Sequence, residues 1–253
     1  MPINWPTEEH VTSILRRHTV AALQKKTPRD GATINLRGLL DGCIRAIYYE
    51  MNNYPTKIVN TENVLVELTW LGAVGDLLHK KMQDVLGLTE QPYTEKLYKF
   101  KSFAPLVISC KCDGYDTNTN ILYEFKTKDK DVMKLKAPIE VELWQGLLLS
   151  FFFRKELNLP VAGYCMVYID RGSCKRRFFY YNLMDITDPM YIDVGNAIAP
   201  LCDKIQTIRD FISSKEVPPM THPFIKTHAY GKVMCLECPY MISCRGHGNT
   251  IVG

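Results

Sequence analysis

The stretch from Leu106 to Lys126 constrains the chain more than any other. Two apolar-rich segments, Leu106 to Tyr115 and Ile121 to Lys126, flank Asp116-Thr-Asn-Thr-Asn120. Residues of that kind favour a turn, so the stretch reads as a β-hairpin. Side chains alternate along a strand with period two. Glu124 and Lys126 therefore share one face, and Phe125 points the other way, into a core. Asp113 ends the preceding strand, so the pairing would gather two carboxylates and one ammonium.

The rest of the chain supplies helices to cover such a sheet. Residues 7 to 25, 35 to 52 and 61 to 86 read as helices by apolar periodicity. In the third, Trp70, Val74, Leu77, Leu78, Met82 and Val85 keep helical spacing. Thr94 to Lys101 is a further strand before the hairpin. Thr127 to Pro138 is a Lys-rich loop, and Ile139 to Leu157 is a helix ended by Leu159-Pro160. Val161 to Asp170 and Arg177 to Leu183 are strands joined by a basic turn, and Asp188 to Ser213 is a last long helix. The expected fold is α/β, a central mixed sheet flanked by helices, in one domain over residues 1–253 with its core at about 61–185. No G-x-x-x-x-G-K-[ST] loop and no βαβ glycine fingerprint occurs, so nucleotide-driven and dinucleotide chemistry are set aside. No apolar run of about 18 residues is present, so no membrane span is expected. The N-terminus, MPINWPTEEH, lacks the basic flank and apolar run of a secretory leader.

Two carboxylates suit a hard divalent cation such as Mg²⁺ or Mn²⁺, which prefers oxygen ligands. The backbone carbonyl of Phe125 can complete the set. Such an ion polarises a phosphodiester and lowers the pKa of water, while a lysine offsets developing charge. Asp at a strand end and an E-x-K pair are also ordinary surface features. Two flanking elements add weight. Gly75 lies one turn before His79 on the third helix, and a glycine there costs about 1 kcal/mol relative to Ala, so it needs a packing reason. Gln145 is a polar amide among Leu143, Trp144, Leu147 and Leu148.

The ordered set Gly75-x3-His79, Cys-Asp113-Gly, Glu124-Phe-Lys126 and Gln145 resembles the RecB-like branch of the PD-(D/E)XK nuclease superfamily, over roughly residues 40 to 245. The resemblance implies a restriction-endonuclease-like core and metal-dependent DNA cleavage. It implies His79, Asp113, Glu124 and the Phe125 carbonyl as metal ligands, Lys126 as the motif lysine, and Gln145 as an organiser of the centre. Two positions depart from the pattern. Leu149 stands where a tyrosine often follows the glutamine, and Cys112 stands where the nominal motif has proline.

The chain has nine cysteines, an odd number that argues against a disulfide framework. Cys235-x2-Cys238-x5-Cys244 is a trio with metal or cluster spacing, and Cys43 is the best fourth thiolate. One upstream cysteine and three after the core resemble the iron–sulfur subset of these nucleases, which includes CRISPR-adaptation nucleases and the AddB nuclease domain. That resemblance implies a structural 4Fe–4S cluster on Cys43, Cys235, Cys238 and Cys244, with Cys43 and residues 226–248 as the cluster-binding part. It would close a loop of about 190 residues. Cys110 and Cys112 read as core, Cys165 lies on a strand, Cys202 on a helix and Cys174 in the basic turn. His222, His228 and His247 are alternative ligands.

Net charge is +4, a weak pull toward anions. Lys128 and Lys130 in the lysine loop, and Lys175, Arg176 and Arg177 before Phe178-Phe-Tyr-Tyr181, are candidate phosphate contacts, with stacking on the rings a further possibility. The expected function is a deoxyribonuclease, an exonuclease on single strands or DNA ends, working in the cytoplasm of a prokaryotic or virus-infected cell. A helicase or a recombination or adaptation partner would sit on another chain. The alternatives are an inactive DNA-binding or adaptor module of the same fold and a zinc-stabilised nuclease.

Overall fold

The structure is a computed structural model; it describes residues 33–41, 43–54, 62–129 and 131–219, with Ser13, Cys238, Tyr240, Ser243 and Cys244. The side chains of 41 and 62–69 are outside that description, and so is the expected helix at 7–25 apart from Ser13.

The elements are β1 (Thr33–Asn35), α1 (Leu36–Asp41), α2 (Ile44–Met51), α3 (Glu62–Val85), β2 (Leu97–Phe103), β3 (Leu106–Lys111), β4 (Gly114–Asp116), β5 (Ile121–Lys128), a 3-10 turn (Val132–Lys134), α4 (Glu140–Leu157), β6 (Gly163–Asp170), β7 (Arg176–Asn182) and α5 (Val194–Ser214). The α/β class is as expected. The strands form two sheets rather than one: β1-β3-β2 and β4-β5-β6-β7. The segment read as one strand from Leu106 to Tyr115 is broken at Cys112-Asp113. Up to Cys112 it stays bonded to the β2 side, through Glu95 N to Cys112 O at 2.8 Å and Cys112 N to Lys96 O at 3.2 Å. From Gly114 it pairs antiparallel with β5 instead. Asp113 is thus the pivot between the sheets.

The single helix expected over 35–52 is likewise two. Cys43 is extended (φ −74, ψ 153) and its thiol accepts from Ala46 N, so it caps α2 as a new start. β5 and β6 run parallel, which requires a crossover, and α4 supplies it. α4 buries Val141, Leu147, Leu148, Leu149, Phe152 and Phe153, so it is apolar nearly all round and lies in the main core. Asn158 ends it in the left-handed conformation, φ 52. Gly146 faces Tyr164 so closely that an added Cβ would lie 1.9 Å from the ring.

The four-stranded sheet is packed on both faces. Leu122, Tyr164, Met166 and Tyr168 join the main core with α4, α5 and the smaller sheet. Phe125, Cys165, Val167 and Ile169 form a second core with Met82 and Leu88. This sets the orientation of α3 and corrects the expected inward stripe. Trp70, Val74, Leu77 and Val85 are exposed, whereas Gly75, Met82 and Gln83 are buried. A Cβ on Gly75 would sit 3.2 Å from Thr127 Oγ1, so the glycine lets α3 approach the end of β5. That close approach selects the face carrying Gly75, Leu78, His79, Met82 and Gln83.

Candidate active site

Four elements converge on one end of the larger sheet. The β4–β5 register pairs Gly114 with Tyr123 and Asp116 with Ile121. Continued by one residue, it puts Asp113 opposite Glu124. There the side chain replaces the ladder: Phe125 N donates to Asp113 Oδ2 at 2.8 Å. In an antiparallel ladder a residue's N–H and C=O face the same neighbour. The Phe125 carbonyl therefore also points to the Asp113 side, away from β6.

Glu124 and Lys126 share a face, as alternation requires. Lys126 Nζ donates to Glu124 Oε1 at 2.6 Å, and Gln145 Nε2, from α4, reaches the same oxygen at 2.8 Å. Glu124 is 1% exposed. Its Oε2 and the Gln145 Oε1 are both buried without a hydrogen-bond partner. Buried acceptors normally have partners, so this pair is an unusual concentration of unmet acceptor capacity. His79, from α3, brings Nδ1 to 3.9 Å from Asp113 Oδ2, and its ring lies 5.8 Å from that of Phe125.

The electrostatics follow from burial. Burial pushes Glu124 up to about 7, against the pull of Lys126 and with the added repulsion of Asp113. Asp113 is raised as well, again by burial, with Lys126 and the Phe125 N–H opposing. Burial works against the Lys126 ammonium, but the Glu124 and Asp113 carboxylates outweigh it and raise its pKa. His79 is lowered by burial and by Lys126, which keeps its imidazole neutral and able to ligate. Two crowded carboxylates, a neutral imidazole, a carbonyl and an unpartnered carboxylate oxygen fit a hard divalent cation. Among the described residues, no three His, Cys, Asp or Glu side chains converge into a ready-made metal cage. Lys126 holds one Glu124 oxygen, Oε1, and leaves Oε2 open.

Sequence reasoning missed two buried polar groups beside this centre. Gln83 is 3% exposed and lies one turn beyond His79 on α3; its Nε2 donates to Asp113 O at 2.7 Å and to Glu95 Oε1 at 2.6 Å. Its helical spacing from His79 was the available signal. Glu142, one turn before Gln145 on α4, is buried and pairs with Lys128 at 2.6 Å and Arg37 at 3.8 Å. Lys128, a candidate phosphate contact, thus has its ammonium on Glu142, and it also lies 5.5 Å from the Tyr168 ring. β5 runs two residues further than expected, which brings Lys128 over α4.

Of the other basic candidates, Lys130 lies outside the described residues. Lys175 and Arg176 are exposed, and Arg177 is partly buried over the Phe179 ring at 5.3 Å. Lys126 pairs with Tyr168 across β5–β6, and Tyr168 with Arg177 across β6–β7. The basic turn therefore lies at the same end of the sheet as the carboxylates, and Arg171 and Asp129 form an ion pair across it. Phe179 is buried, and Tyr180 is exposed with its ring stacked on Phe178 at 6.1 Å.

The cysteine region is described in part. Cys235 lies outside the described residues, as does most of 226–248. Cys43, Cys238 and Cys244 are each partly buried. Arg45, on α2, donates through Nη1 to Cys244 Sγ at 3.6 Å and through Nε to Pro218 O at 2.8 Å. Tyr49 donates its hydroxyl to Ser243 O at 3.4 Å, and its ring lies 5.9 Å from that of Tyr240. The helix capped by Cys43 is therefore packed against the segment carrying Cys244. Cys110, Cys112 and Cys165 are core residues, and Cys174 is exposed.

No family model matches the chain, and no curated protein matches it. A search of solved structures finds the crystal structure of SSO0001, 16% identical, with a TM-score of 0.49, covering 92% of this chain and 96% of that one. Among the described residues no helix is long and apolar enough to cross a membrane.

Proposed function

We propose that this chain is a metal-dependent deoxyribonuclease that hydrolyses phosphodiesters in single strands or at DNA ends. The observation that carries the reading is a buried Glu124 held by Lys126 and Gln145, with one oxygen unpartnered and Asp113 at the opposite register position. Asp113, Glu124, His79 and the Phe125 carbonyl would hold Mg²⁺ or Mn²⁺. Bound there, such an ion polarises the phosphodiester and acidifies water. Lys126 would turn from Glu124 to the scissile phosphate and would offset charge developing on the phosphoryl oxygens. Gln145 fixes the Glu124 carboxylate from α4. Lys175 and Arg176 supply exposed cations for the flanking phosphates.

Cys43, Cys235, Cys238 and Cys244 would hold a 4Fe–4S cluster that ties the α2 region to the C-terminal segment. The packing of α2 against Ser243 and Cys244 supports that pairing of distant segments. A motor or a recombination or adaptation partner would act from another chain, in the cytoplasm.

The test is anaerobic purification of the full chain, iron and sulfide analysis, and digestion of end-labelled single- and double-stranded DNA with Mn²⁺. Wild type should cut and Glu124→Ala should not. DNA that is bound but left intact would favour the inactive-module reading, and zinc in place of iron the zinc-stabilised one.

A further inference from the structure

Asp113 sits where a strand leaves one sheet for another, a place where a backbone has little reason to hold one conformation. Three contacts hold it. Glu95 N donates to the carbonyl of the preceding residue, Cys112, at 2.8 Å. Gln83 Nε2 donates to the carbonyl of Asp113 itself at 2.7 Å. Phe125 N donates to its carboxylate at 2.8 Å. The first two are linked, because the same Gln83 nitrogen also donates to Glu95 Oε1 at 2.6 Å. One amide nitrogen of the buried Gln83 thus uses both its hydrogens to join Glu95 to Asp113.

Glu95 shows the same purpose in its backbone. It holds φ 59, the left-handed region that non-glycine residues seldom occupy. Such conformations persist only where the surroundings over-determine them, and they gather at functional sites. Here the surroundings are Cys112 O on its N–H, and Gln83 with Lys111 on its carboxylate. α3 therefore meets Asp113 at two points from one face. His79 stands at the carboxylate, 3.9 Å away, and Gln83, four residues on, stands at the carbonyl. Residues four apart lie on one face of a helix, so a single helix position sets both contacts.

We infer that Gln83 and Glu95 are positioning residues that aim the Asp113 carboxylate at a divalent cation shared with Glu124. The inference rests on the metal site proposed above and deepens it. Groups that orient metal ligands from behind typically change metal affinity by 10–100-fold when removed. Gln83→Met keeps the length of the side chain and removes both donors. Glu95→Ala removes the acceptor that orients Gln83. Glu95→Gln keeps an acceptor in place.

The experiment is direct Mn²⁺ titration of the full-length protein by calorimetry and by loss of the free-ion paramagnetic resonance signal, beside the Mn²⁺ concentration giving half-maximal DNA cleavage. Gln83→Met should weaken Mn²⁺ binding at least about tenfold and move the half-maximal concentration by the same factor. The rate at saturating Mn²⁺ should fall much less. Glu95→Ala should weaken binding by a smaller factor, and Glu95→Gln should stay close to wild type. A merely structural role would lower the unfolding temperature and leave Mn²⁺ affinity unchanged, and that result overturns the inference. If Gln83→Met fails to fold, the contrast between Glu95→Ala and Glu95→Gln decides the matter alone. A wild type that binds no Mn²⁺ also overturns it. Mn²⁺ binding that responds to these variants without any DNA cleavage would uphold the inference while refuting the nuclease reading.

Discussion

The carboxylate site and the cysteine region differ in how far along the chain their partners lie. Asp113 and Phe125 are 12 residues apart, Glu124 and Lys126 are 2 apart, and Glu124 and Gln145 are 21 apart. Across the cysteine region, Arg45 and Cys244 are 199 apart, and Tyr49 and Ser243 are 194 apart. One hairpin register, one crossover helix and the neighbouring α3 assemble the first. The second forms only after the whole chain has closed, and closure entropy grows with loop length. A site of the first kind should survive damage elsewhere, whereas a site of the second kind should fail with any loss of its closure.

The contrast can be broken most sharply at the carboxylates. Asp113→Ala or Glu124→Ala should abolish Mn²⁺-dependent cleavage, and Lys126→Ala should cost on the order of 10²–10³ in rate, as for other charge-stabilising donors. All three should keep the wild-type circular dichroism spectrum. Full cleavage by any of them, at wild-type metal levels, removes that residue from the site. Cys238→Ser should do the reverse: lose iron and brown colour on anaerobic purification, with lower solubility. A variant that stays brown with full iron content would take Cys238 out of the cluster.

A smaller effect should follow from overfilling the crossover helix. Gly146→Ala sets a methyl group 1.9 Å from the buried Tyr164 ring. Overpacking of this kind typically costs 1–3 kcal/mol, readable as a lower urea midpoint. An unchanged midpoint would mean that α4 shifts freely on β6, and Gln145 could not then fix Glu124.

The mildest test is pH. Burial raises Glu124 from 4.5 in the unfolded chain to about 7 in the fold. The folded state therefore holds this proton more tightly, and the resulting stability is complete below 4.5 and lost as pH rises through about 7. Metal-free wild type should lose unfolding free energy across that window, and Glu124→Gln should lose less. Added Mn²⁺ should reverse the trend, since it binds the ionised form. Parallel pH profiles for the two proteins would contradict the burial of this carboxylate.

The hairpin was legible because its signals are local: turn residues at 116–120, alternation at 124–126, and one apolar residue between two charged ones. Those signals put Asp113 at the register position opposite Glu124. The break between β3 and β4 was not legible, since Leu106 to Tyr115 alternates as one strand and only its partners change. α3 misled for a related reason. It carries two stripes, and Trp70, Val74 and Leu77 outweigh Gly75, His79 and Gln83 in hydropathy. The packed stripe is chosen by Gly75 against Thr127, a contact 52 residues away in sequence. The pairing of Lys128 with Glu142 was not legible, because Glu142 belongs to a helix whose place over β5 is tertiary.

The most direct measurement is an anomalous-scattering map of crystals soaked in Mn²⁺. The arrangement of Asp113, Glu124 and the Phe125 carbonyl requires a peak at roughly 2.0–2.3 Å from oxygens of both carboxylates, the range for such cations. Lys126 should then have left Glu124 Oε1. A map with no peak there, or with the ion held by other residues while Lys126 stays on Glu124, would contradict it.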